Sequence, residues 1–149
     1  MNILMPLKGK ISFGCFFILF NIGCMNSIRK ILEEEKEKYI GIYILDISKS
    51  KLGAYKENSS LYSMLTLTLL SDSSFQFSND VPFIKEVCGI WLMEGDGLNN
   101  HANLFYSNKT YRREQIKRFN ENYISIVSPA PKKNHPQVEK LVFRKLESE

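Results

Sequence analysis

The chain is poor in the residues that build catalytic and metal centres. It has two histidines, three cysteines and one tryptophan in 149 residues. There is no Cys-x-x-Cys pair, no glycine-rich phosphate loop and no pair of carboxylates at a defensible catalytic spacing, so the usual metal, redox and nucleotide signatures are missing. No apolar run reaches the roughly 20 residues that a helix needs to cross a bilayer. Basic residues outnumber acidic ones only slightly, at 20 against 16, which gives no general electrostatic case for binding nucleic acid.

What is present begins at the start of the chain. Lys8 and Lys10 precede an apolar run from Ile11 to Phe20, which ends in Asn21-Ile22-Gly23-Cys24. A basic segment, a short apolar core and a small residue before a cut form the layout of an export signal. With a thiol placed directly after Gly23, the layout is similar to a bacterial lipoprotein leader, in which the cysteine after the cut is lipidated. It departs at Asn21, where that pattern has leucine. The expectation is a signal peptide over 1–23 and lipidation at Cys24, with two or more acyl chains holding the protein to a membrane where one alone is marginal. The corresponding location is the bacterial cell envelope, as an outer-membrane-anchored lipoprotein.

Loss of Lys8 and Lys10 with the leader leaves a charge of about +2 on the remainder. Cys15 lies in the leader and Cys24 carries lipid, so Cys88 has no partner for a disulfide. Set between Val87 and Gly89, it reads as a small buried hydrophobe. Residues 24–38 form a charged connector around Glu33-Glu34-Glu35, with Ile28, Ile31 and Leu32 at helical spacing. The single domain is expected over 39–149.

From Tyr39 onward the texture is that of short strands. Tyr39 to Leu45 is rich in Ile and Tyr without a helical stripe. Leu61, Leu65, Leu67 and Leu69 alternate with Tyr62, Met64, Thr66 and Thr68. Ser71-Asp72-Ser73 follows as a turn, and Phe75 and Phe77 then alternate with polar residues. Period-2 alternation on both sides of a polar turn predicts a β-hairpin. Asn79-Asp80-Val81-Pro82 breaks the pattern before a strand at Gly89–Met93. The Glu94–Gly97 turn leads to a partner strand at Leu104–Tyr106. Thr110 to Asn122 is a long loop or a ragged strand, and Tyr123 to Val127 is a strand ended by Ser128-Pro129-Ala130-Pro131. Val138 to Leu146 suits a strand or a helix. About six to eight short strands joined by turns predict an all-β domain, an antiparallel meander or small barrel.

Two strands open on glycine-x-aromatic, Gly41-Ile42-Tyr43 and Gly89-Ile90-Trp91. The first is similar to the Gly-x-Trp of lipocalins, with Tyr43 in place of Trp. The second, with Leu65-Thr66-Leu67, Ser74-Phe75-Gln76-Phe77 and Asp80-Val81-Pro82-Phe83, resembles small lipocalin-like lipoproteins of Bacteroidetes. That resemblance implies a lipocalin-like barrel, and it implies that Arg144 on the last strand covers Tyr43. Those families are largely uncharacterised, so it transfers a fold more than an activity.

Candidate chemistry is sparse. His101 lies near Glu94 and Asp96, but a turn rich in Gly, Asp and Asn is explained by backbone needs. His135 sits in a loop with no nucleophile at a telling spacing. Arg112, Arg113, Lys117 and Arg118 with Tyr111 and Phe119 make a basic, aromatic stretch, suited to a solvated loop or to an anionic lipid or glycan. Phe75, Phe77, Phe83, Trp91, Phe105, Tyr106 and Phe143 read as core. No catalytic residue, cofactor or metal is expected. The leading reading is non-catalytic binding of a small apolar ligand in the barrel, or of an envelope partner outside it. The alternative is a structural or interaction module with a filled barrel, ahead of a hydrolase or isomerase.

Overall fold

The computed structural model describes residues 13–96, 98–106 and 113–147. Among the described residues one α-helix, α1 (Phe13–Glu37), precedes eight strands: β1 (Gly41–Leu45), β2 (Thr66–Leu69), β3 (Ser74–Phe77), β4 (Cys88–Glu94), β5 (His101–Tyr106), β6 (Arg113–Asn120), β7 (Tyr123–Val127) and β8 (Lys140–Lys145). Each strand is antiparallel to the next and β8 returns to β1, so the sheet closes into a barrel. Closure leaves none of the described strands with an unpaired edge. The expected all-β, lipocalin-like barrel of six to eight strands is therefore found with eight. The connector forms the second half of a single longer helix, and the last segment is a strand.

Alternation decides which side chains fill the barrel. Tyr43 and Leu45, Leu67 and Leu69, Phe75 and Phe77, Trp91, Leu104, Ile116, Ile124 and Ile126, and Leu141 and Phe143 all point inward and are buried. Each strand contributes apolar residues two apart, which is the pattern the sequence displays. Gly89 lies beside Phe75 in the β3–β4 register. A Cβ there would stand 2.4 Å from the Phe105 carbonyl oxygen and 2.7 Å from the Phe75 ring. The glycine lets that ring lie flat against β4, in the way that close packing replaces a side chain within a strand.

The strand directions define two ends. At the helix end lie the start of β1, the β2–β3, β4–β5 and β6–β7 turns, and the end of β8. There α1 packs against β4. Lys36 donates to the Ser71 carbonyl at 2.9 Å and lies 5.7 Å from the centre of the Trp91 ring. The β2–β3 turn is shaped by Asp72, which accepts from the backbone and hydroxyl of Ser74. Those bonds hold the Asp72 carboxyl below its ordinary value.

The far end is covered by the long connections after β1, β3 and β7. Leu52, Leu65, Val81, Phe83, Ile84, Ala130 and Val138 are buried beneath them. Tyr55 and Tyr62 meet Phe83 edge-on at 5.2 and 4.9 Å. Lys132 pairs with Asp80 and donates its backbone N–H to the Pro82 carbonyl, tying two of these loops together. Glu114, buried on β6, accepts from the Ala130 N–H and fixes the third loop over the mouth.

Four sequence expectations are corrected. The leucine face does not extend to Leu61, because a 3-10 turn at Ser59–Tyr62 interrupts the strand and leaves Leu61 74% exposed. Tyr62 turns onto Phe83 instead. Cys88 is exposed: Trp91 faces inward on β4, so the thiol three residues earlier faces out. Phe105 is likewise on the outer face, opposite Ile90, and is half-buried. Arg144 does not cover Tyr43. It pairs with Ile44 and Tyr123 on the outer face and is exposed.

Candidate functional site

The barrel interior is the natural place to look for a ligand, since eight strands enclose either a packed core or one small molecule. Here it is occupied by the protein. Trp91, Tyr43, Phe75, Phe77 and Phe143 are fully buried within it. Phe77 lies 5.9 Å from Phe75 and 6.1 Å from Phe143. Trp91 donates its indole N–H to the Leu70 carbonyl at 3.0 Å, so its one polar atom is satisfied within the fold.

Tyr43 plugs the helix end. Its hydroxyl donates to the Tyr39 carbonyl at 2.7 Å, and Lys145 lies 5.7 Å from its ring centre. The cation over this aromatic is thus Lys145, the inward neighbour of Arg144 on β8. Arg118 supplies a second positive charge close to Tyr39 and Tyr43. The regular β6–β7 register places Arg118 opposite the inward Ile124, just before that register shifts towards Asn120, which the sequence did not signal.

Burial pushes the Tyr43 hydroxyl up to about 12, with Arg118 opposing that rise and Tyr39 adding to it. Burial also raises Tyr39. Because the fold holds the Tyr43 proton more tightly than the unfolded chain does, its contribution is complete below pH 10.0. That contribution declines as pH rises towards about 12. Tyr43→Phe is expected to lose about 1 kcal/mol at neutral pH, through the missing bond to Tyr39. It is also expected to flatten the fall in melting temperature between pH 10 and about 12. An unchanged alkaline slope in the variant would assign the decline to other groups.

The sequence-predicted residues scatter. His101 Nε2 lies 3.9 Å from Glu94 Oε2, the oxygen that Asn103 already holds at 2.7 Å. Asp96 accepts from the N–H groups of Leu98 and Asn99 at 2.9 and 2.8 Å, which lower its carboxyl. Among the described residues no three metal-ligating side chains come together. His135 is exposed in the β7–β8 loop, its N–H bonded to the Lys132 carbonyl. Of the basic stretch, Tyr111 and Arg112 lie outside the described residues, as does the side chain of Arg113. Lys117 is exposed, while Arg118 turns inward.

Phe119, 52% exposed at the register shift, gathers different neighbours on the outer wall. Lys140 stands 4.3 Å from its ring centre, and Lys49 stands 3.5 Å from that of Tyr123. These four residues, with Asn120 and Val142, line a recess of about 200 Å³. Periodicity along one strand could not show this cluster, because β6, β7, β8 and the loop after β1 each contribute to it. Larger recesses of about 570 and 580 Å³ open at the helix end, the first beside Arg118 and Tyr39, the second beside Ile42 and Leu146.

The structure therefore defines a class: a closed, eight-stranded antiparallel barrel with a self-filled interior and a helix at one end. No protein-family model, no curated protein and no solved structure matches the chain.

Proposed function

We propose that this protein is a membrane-anchored lipoprotein of the bacterial cell envelope, tethered through Cys24, that acts without catalysis as an interaction module. Its barrel is a rigid body and its partners meet the outer surface. The observation that carries this reading is the filled interior. Trp91, Tyr43, Phe75, Phe77 and Phe143 take the space a small apolar ligand would need. This favours an outside partner over an internal ligand. The basic start, short apolar run and Gly23-Cys24 junction support the anchor. As a helix, residues 24–37 would set the barrel about 20 Å from the lipidated residue, at 1.5 Å per residue.

One labelling experiment tests both parts. A bacterial host expresses the full chain and a Cys24→Ala version in the presence of labelled palmitate. Covalent label is expected on the wild type and absent from Cys24→Ala, and solvent extraction of the purified variant is expected to release far less than one labelled lipid per chain. Equal or absent covalent label on both would remove the anchor. Near-stoichiometric extractable lipid would remove the filled-barrel reading.

A further inference from the structure

The geometry points to the recess between Lys49 and Lys140 as a binding site for a phosphoryl group carried on a glycerol-sized body. The site lies on the outer wall, so it stands whether or not the interior takes a ligand.

Two ammonium groups line one small recess, and each is set over an aromatic face, Lys49 over Tyr123 and Lys140 over Phe119. An aromatic platform steadies a lysine chain without neutralising it, so the charge stays available for an anion. Among the described residues Lys140 has no carboxylate within ion-pair range, and Lys49 has Asp46 only at 3.7 Å. Asp46 is itself drawn on by others. Burial pushes its carboxyl up, but hydrogen bonds from the Ser48 hydroxyl and the Lys49 N–H, with the Lys49 charge, hold it low.

The other walls suit the body of a headgroup. Val142 is apolar, Asn120 is polar and Phe119 is half-exposed. Phe119 stands where β6 slips its register against β7, a device that re-aims a side chain at the cost of regular pairing. Beside Val142 in the β7–β8 register is Ser125, whose hydroxyl is buried without a hydrogen-bond partner among the described residues. A buried unsatisfied hydroxyl calls for an explanation beyond packing. A volume of about 200 Å³ is below that of drug-sized pockets, at roughly 300–1,000 Å³, and accepts a glycerol phosphate rather than a long chain.

Two sources carry this chemistry, a soluble phosphoester and a phospholipid headgroup. The test uses the full chain in uncharged detergent micelles, followed by NMR of the Val142 methyls and the Asn120 side-chain amide. One arm adds sn-glycerol 3-phosphate, with glycerol as control. The other dopes the micelles with phosphatidylglycerol, with phosphatidylcholine as control. Saturable shifts at both residues are expected in at least one arm, weakened tenfold or more in K49Q/K140Q and unchanged in K56Q/K132Q. The near-ultraviolet signal of Trp91 reports that each variant is folded. A response to the free phosphoester identifies a soluble ligand, and a response to doped micelles alone identifies a headgroup. Absence of saturable shifts in both arms, or shifts that persist at full strength in K49Q/K140Q, would overturn the proposal.

Discussion

Trp91→Ala is expected to cost about 3–5 kcal/mol of folding stability, the range for removing a large aromatic from a packed core. Two losses add. The indole is fully buried, so its removal opens a cavity among side chains held from several strands. The Leu70 carbonyl at the β2–β3 turn also loses its donor. Lys36 loses the ring beneath it, loosening the seat of α1. Trp91→Phe separates the effects, because it fills most of the space but cannot donate; about 1–3 kcal/mol is expected for the carbonyl left unpaired. Urea unfolding followed by far-ultraviolet circular dichroism measures both. A cost for alanine no larger than for phenylalanine would show that the space at Trp91 collapses freely and that the interior is less tightly filled than described.

The barrel was legible because its rule is local. Leu67 and Leu69, Phe75 and Phe77, and Ile124 and Ile126 each sit two apart, and period 2 is all that a half-buried strand requires. The Ser71–Ser73 turn was legible for the same reason, since Asp72 satisfies the backbone it caps. Failures arise where the rule meets something non-local. Leu61 continues the alternation, but its segment must bend to bring Tyr62 and Tyr55 over Phe83. Cys88 and Phe105 fall on the outer face because parity on β4 and β5 is set by Trp91 and Leu104, two buried neighbours.

The outer wall was harder to read. The run from Tyr111 to Phe119 looks like one basic patch along the chain, yet strand alternation alone sends Lys117 and Arg118 to opposite faces. The cluster that does form draws Lys49 from a loop about 70 residues away and Lys140 from a strand two places along the sheet. Composition shows that such residues exist. Only closure of the sheet makes them neighbours.

The two glycine-x-aromatic openings were visible as motifs, and their physics differs. At Gly41 the nearest obstacle to a Cβ is the Lys145 side chain, which can swing away, although the positive φ of 151° still favours glycine. At Gly89 the obstacle is the Phe105 carbonyl at 2.4 Å, part of the neighbouring strand, with the Phe75 ring at 2.7 Å on the other side. Neither yields without moving β5 or displacing a core ring that also touches Phe77. Gly89→Ala is therefore expected to cost about 3 kcal/mol, the upper part of the range for overpacking a filled core. Gly89→Val should prevent accumulation of folded protein. Phe75→Leu, which shortens the ring side chain, should recover part of the Gly89→Ala loss, so the double variant should be less destabilised than the sum of the singles. Simple additivity in urea unfolding would place the whole clash on the Phe105 backbone and none on the ring.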